Sequence, residues 1–339
     1  MILGKHCRLD ENPRPLEMHD LPVPVPRGDE ILVKVSACGV CHTELDEIEG
    51  RTPPPQLPVI PGHQIVGNVV KTATAGVFDI GDRVGIAWIN SACGKCDQCL
   101  AGFENLCSSF KATGRDVDGG YAEYALVRSA FAYRIPEIFS DTEAAPLLCA
   151  GAIGYRSLRL ANITDGKKLG LTGFGASAHL VLKMVRYRYP HSKVYVFARS
   201  EKERAFAKSL GAAWTGDTGE ESPERLDAII DTTPIWRPIV EALRNLSPGG
   251  RLVINAIRKE DGDKAQLMRL DYTTHLWSEK EVKSVANVSR SDVTEFLTLA
   301  AAIPIKPEFQ VFPLEKANEA LFELKTQNIR GAKVLTINS

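Results

Sequence analysis

A chain of 339 residues exceeds the size at which one hydrophobic core stops growing, so two domains with a cleft between them are expected. With 44% hydrophobic and 24% charged residues, the composition excludes a disordered chain and is that of a globular protein. The 41 basic and 42 acidic side chains nearly cancel, which excludes a global field for nucleic acid or an anionic membrane and leaves a small molecule as the expected partner.

The first ten residues mix Lys5, His6, Arg8 and Asp10 with single apolar side chains, so they lack the apolar centre of a secretion signal. No apolar run in the sequence reaches the roughly 18 residues of a bilayer-spanning helix. The expected location is the cytoplasm. In that reducing compartment eight cysteines point to metal ligation rather than to disulfides.

Short apolar runs at 31–35, 65–70 and 83–86, punctuated by Pro and Gly, predict strands and turns over the first 150 residues. From about residue 167 the pattern changes. A strand-like 168–172 is followed by a helix-length 176–189, a strand-like 193–197, a helix over 201–210 that ends before Gly211, and strands at 228–231 and 251–255. Such alternation predicts βαβ units around a parallel sheet, hence an α/β fold with a β-rich first domain. Helices over 292–302 and near 314–326 close the chain, and no internal repeat or low-complexity tract interrupts it.

Cys93, Cys96, Cys99 and Cys107 lie within fifteen residues. Four thiolates so spaced can close a tetrahedral zinc site with no open position, which is a structural role. An iron–sulfur cluster also takes short cysteine spacings, but the last gap fits neither of the common cluster runs. Cys41, His63 and Cys149 are dispersed, and each alone could be a core residue. Their surroundings are more specific: Cys41 opens Cys-His-Thr-Glu, His63 lies in Pro-Gly-His-Gln, and Cys149 ends the run from Pro146 to Leu148.

The segments ACGVCHTE (37–44), PGHQIVG (61–67), GDRV (81–84), CGKCDQCLAGFENLC (93–107), GGYAEY (119–124) and PLLCAG (146–151) occur in that order. Together they resemble the zinc-containing medium-chain alcohol dehydrogenases over nearly the whole chain. The resemblance implies a GroES-like catalytic domain over 1–150, completed by 288–339 and carrying a structural zinc lobe, and a Rossmann domain with a doubly wound parallel sheet over 151–287. It implies two zinc ions per chain. Cys41, His63 and Cys149 would ligate the catalytic one, with water or substrate in the fourth place.

Two thiolates and one imidazole cancel the charge of zinc yet leave it open, so the ion can act as a Lewis acid on an alcohol or aldehyde oxygen. By the same resemblance Thr43 is the first proton relay, His42 a contact of the cofactor diphosphate or else a solvated histidine, and Glu44 the carboxylate that orients the ligand histidine. Trp88 is a wall of the substrate pocket that favours unbranched primary alcohols, unless it is plain core. Two positions depart from the family. Gln64 stands where Glu is usual, which makes the site more positive and should lower the pKa of a bound alcohol. Asp46 stands where many relatives complete the relay with histidine, which leaves the outer relay in doubt.

Gly173-Phe174-Gly175-Ala176-Ser177-Ala178 has the form G-x-G-x-x-A between a strand and a helix. The glycines permit a tight turn and a close approach of a diphosphate to the helix end. The second strand would normally end in the acidic residue that binds the ribose 2′-hydroxyl, and here Ala198 occupies that place. Arg199 and Ser200 follow and could clasp a 2′-phosphate, which favours NADP(H) over NAD(H), with Lys202 and Arg204 as further basic groups nearby. The expected protein is thus a zinc alcohol dehydrogenase acting on small alcohols or aldehydes, a homodimer or homotetramer by family precedent. A zinc-free quinone or enoyl reductase of the same superfamily is the alternative, but such proteins lack the ligand cysteines. A non-enzymatic zinc ribbon is disfavoured by the neutral charge and the intact dinucleotide loop.

Overall fold

The computed structural model describes residues 1–74, 76–303, 305–326 and 331–337. It divides into two compact units, one of Met1–Ala152 with Asn287–Ser339 and the other of Ile153–Ala286.

The first unit begins its main sheet with β1 (Glu30–Val40), whose alternating apolar residues bury Val33, Val35 and Ala37 while Lys34 faces out. A short helix, α1 (His42–Ile48), follows directly. The sheet continues through β2 (Ile65–Thr72), β3 (Arg83–Ile86), β4 (Tyr124–Arg128) and β5 (Ala132–Arg134). A capping box at Ser140, whose hydroxyl accepts from Glu143 N, starts α2 (Asp141–Pro146). Pro146 then ends the regular ladder, having no N–H to give, and the backbone widens into a π turn at Leu147–Gly151.

The second unit is a sheet of parallel strands with helices between them. Its strands are β6 (Lys168–Thr172), β7 (Lys193–Phe197), β8 (Trp214–Gly216), β9 (Leu226–Asp231), β10 (Leu246–Ile254) and β11 (Glu281–Ser284). The helices that follow its strands include α3 (Ala178–Arg188), α4 (Glu201–Ser209) and α5 (Arg237–Asn245), and a further helix, Ala152–Ala161, leads into the unit. Among the described residues the strand order is β8-β7-β6-β9-β10-β11, with every pairing parallel. The order reverses between β6 and β9, the switch point at which such sheets leave a crevice for ligands. Tyr195, Phe197, Leu226, Ile229, Ile239, Leu243 and Leu252 form a buried cluster between α5 and the sheet.

The chain then returns to the first unit with α6 (Arg290–Ala302), β12 (Phe309–Pro313), α7 (Ala317–Thr326) and β13 (Ala332–Thr336). Among the described residues the first sheet has the order β12-β13-β1-β2-β3-β5, with β4 also pairing β1. The fold is therefore α/β, with a mainly antiparallel sheet in the first unit and a Rossmann-type parallel sheet in the second. The predicted strands and helices are present with small shifts, while α1, α2, α5, β8, β11, β12, β13 and the helix Ala152–Ala161 are among the additional elements. Among the described residues no helix is long and apolar enough to cross a membrane.

Candidate active site and metal centres

Cys41 is the N-cap of α1. Its extended backbone (φ −138°, ψ 172°) lets the sulfur accept from Thr43 N, at 3.3 Å, while Glu44 Oε2 reaches back to accept from Cys41 N at 2.8 Å. One turn of helix therefore fixes a thiol and a carboxylate together. The other oxygen, Glu44 Oε1, lies 2.5 Å from Nδ1 of His63. The contact is close but angled, since neither atom has an aligned hydrogen-bond partner, and it leaves Nε2 of the ring facing Cys41 Sγ at 3.9 Å. His63 follows Gly62, whose positive φ of 100° and lack of Cβ are both needed, because a Cβ there would meet the Tyr121 ring at 2.4 Å.

Cys149 sits on the π turn, half-buried, a backbone form that recurs at functional sites. It joins Cys41 and His63 in a group whose ligand atoms lie within 4.8 Å of one another. Tetrahedral zinc with sulfur at about 2.3 Å and nitrogen at about 2.1 Å requires donors about 3.6 Å apart, close to the separation seen. The electrostatics fit as well. The neighbouring Cys149 thiol, and then burial, hold the Cys41 thiol well above its usual range. Burial alone would keep the His63 ring neutral, yet the charge of Glu44 and the contact with the Cys41 sulfur outweigh it and raise the ring well above the usual imidazole range. Donors crowded so tightly that they retain protons are those from which a divalent cation displaces them.

The second group, Cys93, Cys96, Cys99 and Cys107, also has its four sulfurs within 4.8 Å of one another. Cys93 N donates to Cys107 Sγ, Cys96 N to Cys93 Sγ and Ser109 N to Cys107 Sγ, each at 3.4 Å. N–H groups of Lys95 and Cys96 lower Cys93 to about 6, whereas burial and the neighbouring thiols push Cys99 up to about 12. Once one sulfur ionises the next becomes costly, so the set needs a cation to ionise together. All four donors belong to one closed lobe. The lobe is tied to the start of α6 by Glu104, which accepts from Arg290 N at 3.0 Å and from Arg290 Nε at 2.6 Å.

Gln64 is 3% exposed and packs against Gly39, where a Cβ would lie 2.5 Å from its Oε1. Thr43 is half-buried and His42 exposed. Trp88 packs its ring 5.4 Å from that of Phe110, with Nε1 buried and unpartnered. Asp46 is ion-paired to Arg51 Nε at 2.6 Å. Cys38 is fully buried, while Cys7 is half-exposed.

Sequence reasoning missed Glu47, which lies one turn beyond Glu44, is 1% exposed, and has its carboxyl raised well above the usual range by burial and by the charge of Glu44. Its Oε1 and the buried Tyr121 hydroxyl have no hydrogen-bond partner. A glutamate on a short helix ordinarily reads as solvated, so only its i, i+3 relation to Glu44 hinted at burial.

In the second unit, Thr172 ends β6 and Gly173 turns with a positive φ of 76°. A side chain at Gly173 would meet Thr232 Oγ1 at 2.9 Å, while a Cβ at Gly175 would meet nothing within 4 Å. Gly175 and Ala176 are exposed at the entry to α3, and Ser177, its N-cap, makes no side-chain capping bond. N–H groups at such an end point outward for an anion. Ala198 is buried at the end of β7, and Arg199 and Ser200 are exposed just beyond it. Arg204, expected as a further basic group, gives its Nη1 to the carbonyls of Ala198 and Arg199 at 2.7 and 2.9 Å, and so braces that loop.

Residues 27–137 match the alcohol dehydrogenase GroES-like domain. Over 329 residues the chain is 42% identical to the probable alcohol dehydrogenase AdhA of Mycobacterium tuberculosis, covering 95% of this chain and 93% of that protein. A cinnamyl alcohol dehydrogenase from Sorghum bicolor superposes with a TM-score of 0.82 at 26% identity, over 93% of this chain and 92% of that one. A zinc-binding dehydrogenase from Sinorhizobium meliloti 1021, solved bound to NADP, superposes with a TM-score of 0.81 at 25% identity, over 93% and 94%.

Proposed function

Because this chain belongs to the zinc-type medium-chain alcohol dehydrogenase family, we propose that it interconverts primary alcohols and aldehydes using NADP(H) in preference to NAD(H). The observation that carries this reading is the meeting of Cys41, His63 and Cys149 within one donor-sized cluster. In it these three hold one zinc ion and the four lobe cysteines hold another. When bound, the first zinc supplies Lewis acidity toward the substrate oxygen, and the nicotinamide supplies the hydride acceptor or donor.

The residues of this chain do the rest. Glu44 holds Nδ1 of His63 and so presents Nε2 to the cluster. Thr43, anchored by its N–H on Cys41 Sγ, offers Oγ1 to take the alcohol proton and to return it in aldehyde reduction. Trp88 bounds the substrate and favours unbranched chains. Gly173, Gly175, Ala176 and Ser177 receive the cofactor diphosphate, helped by His42. Ala198 brings no carboxylate toward the ribose, while Arg199 and Ser200 grip a 2′-phosphate by charge-assisted bonds. The structural neighbour solved with NADP supports this choice by analogy. In the same reading Met1–Ala152 with Asn287–Ser339 is the catalytic domain and Ile153–Ala286 the cofactor domain, and the protein is a cytoplasmic homodimer or homotetramer.

A panel of unbranched primary alcohols and the matching aldehydes, assayed with both cofactors by nicotinamide absorbance, tests the reading. Turnover with kcat/KM at least about tenfold higher for NADP(H) is expected, the scale of a charge-assisted bond gained or lost. Absence of turnover, or a preference for NAD(H), contradicts it.

A further inference from the structure

Lys259 and Asp231 form an ion pair at 2.5 Å in the second unit, with side chains 7% and 0% exposed. All three ammonium donors are engaged, because Nζ also reaches Thr233 O at 2.7 Å and Ile235 O at 3.1 Å. The carboxylate is equally engaged. Its Oδ1 accepts from Thr172 Oγ1 at 2.6 Å and from Thr233 Oγ1 at 2.7 Å.

The place of this network is what gives it meaning. Thr172 and Asp231 are register partners at the ends of β6 and β9, the two strands at the switch point. Thr172 is followed directly by Gly173, and Thr232 donates to Thr172 O from both N and Oγ1 at 3.0 Å. A fully buried carboxylate thus stands beside the turn that opens the dinucleotide loop, where an anionic diphosphate is expected. As a means of stability a buried ion pair is weak, since apolar residues of similar volume often do as well. Its charge balance is another matter, because an uncompensated carboxylate there would repel the ligand. Other charges near the pair are committed elsewhere: Asp263 accepts from Trp236 N and Arg237 N, and Arg258 lies 3.8 Å from Glu260.

We propose that Lys259 is a positioning residue for the dinucleotide, cancelling the buried charge of Asp231 so that a diphosphate can lie against the Gly173 turn. The inference rests on the cofactor assignment above. Its test is titration of the zinc-loaded full chain with NADPH and NADH, followed by nicotinamide fluorescence, with a melting curve for each variant. Lys259→Met should raise the Kd for both cofactors at least about tenfold, and Asp231→Asn/Lys259→Met should restore it to within about threefold, as removal of the stranded charge requires. Lys259→Arg, which keeps the charge but changes the donor geometry, should bind like wild type. Should Lys259→Met fail to fold, the double variant and Lys259→Arg carry the test. A Lys259→Met protein that binds as wild type does, a double variant that folds yet binds about tenfold more weakly than wild type, or a Lys259→Arg variant that loses binding would each overturn it. A wild type that binds neither cofactor refutes the proposed function itself, and this inference with it.

Discussion

Gln64 places an uncharged amide, almost fully buried, next in sequence to the ring that contacts Glu44. Glutamate at that position would add buried negative charge and hold neighbouring protons to higher pH. In Gln64→Glu the acidic limb of kcat/KM for alcohol oxidation should therefore move upward, and a limb that stays put contradicts this account of the amide. Arg199 makes an equally local prediction. Arg199→Ala should raise the KM for NADPH by about tenfold or more while changing that for NADH little, since only one cofactor carries the 2′-phosphate that a guanidinium can fork. Cys41, His63 and Cys149 were legible because each lies in a short segment that resembles a motif of the family. Glu47 and the Lys259–Asp231 pair could not, because a lone charge in a helix or loop reads as solvated until its burial is seen.

Among the elements, those with alternating or continuous apolar runs, such as β6, β7 and β9, were legible from their residues alone. The short α5 was not. Its N-cap is Trp236, which offers no side-chain cap, and its first N–H groups are met instead by the distant Asp263, whose carboxylate accepts from Trp236 N at 3.0 Å, 27 positions away, and from Arg237 N at 2.8 Å, 26 positions away. Pro238 in the first turn and the apolar spacing of Ile239, Val240, Ala242 and Leu243 were the only local signals. Asp263→Ala should cost about 1–2 kcal/mol, the usual value of a lost cap, read as a lowered midpoint of chemical denaturation. An unchanged midpoint would show that α5 is held by packing alone. β11 was missed for a different reason. Each of its four residues is exposed, and only parallel pairing with β10 makes it a strand. The π turn that carries Cys149 likewise has no sequence signature beyond Pro146, which ends the regular helix before it.

For the whole molecule, near-neutral charge and two compact units agree with a protein that works on small molecules. Family membership and fold were legible because ordered motifs cover almost the entire chain, whereas the networks that brace the sites join residues far apart, as Glu104 and Arg290 show across 186 positions. A zinc-free reductase would have no use for two separate donor clusters, so metal at both is the deciding feature. Zinc content measured beside turnover in wild type and in Cys149→Ser tests that claim most directly. Wild type should carry two zinc ions per chain and turn over primary alcohols. The variant should keep its fold and one zinc, with activity lower by at least about a thousandfold, the scale of lost Lewis-acid and oxyanion stabilisation. A wild type active without zinc, or a Cys149→Ser protein with one zinc and undiminished turnover, would contradict it.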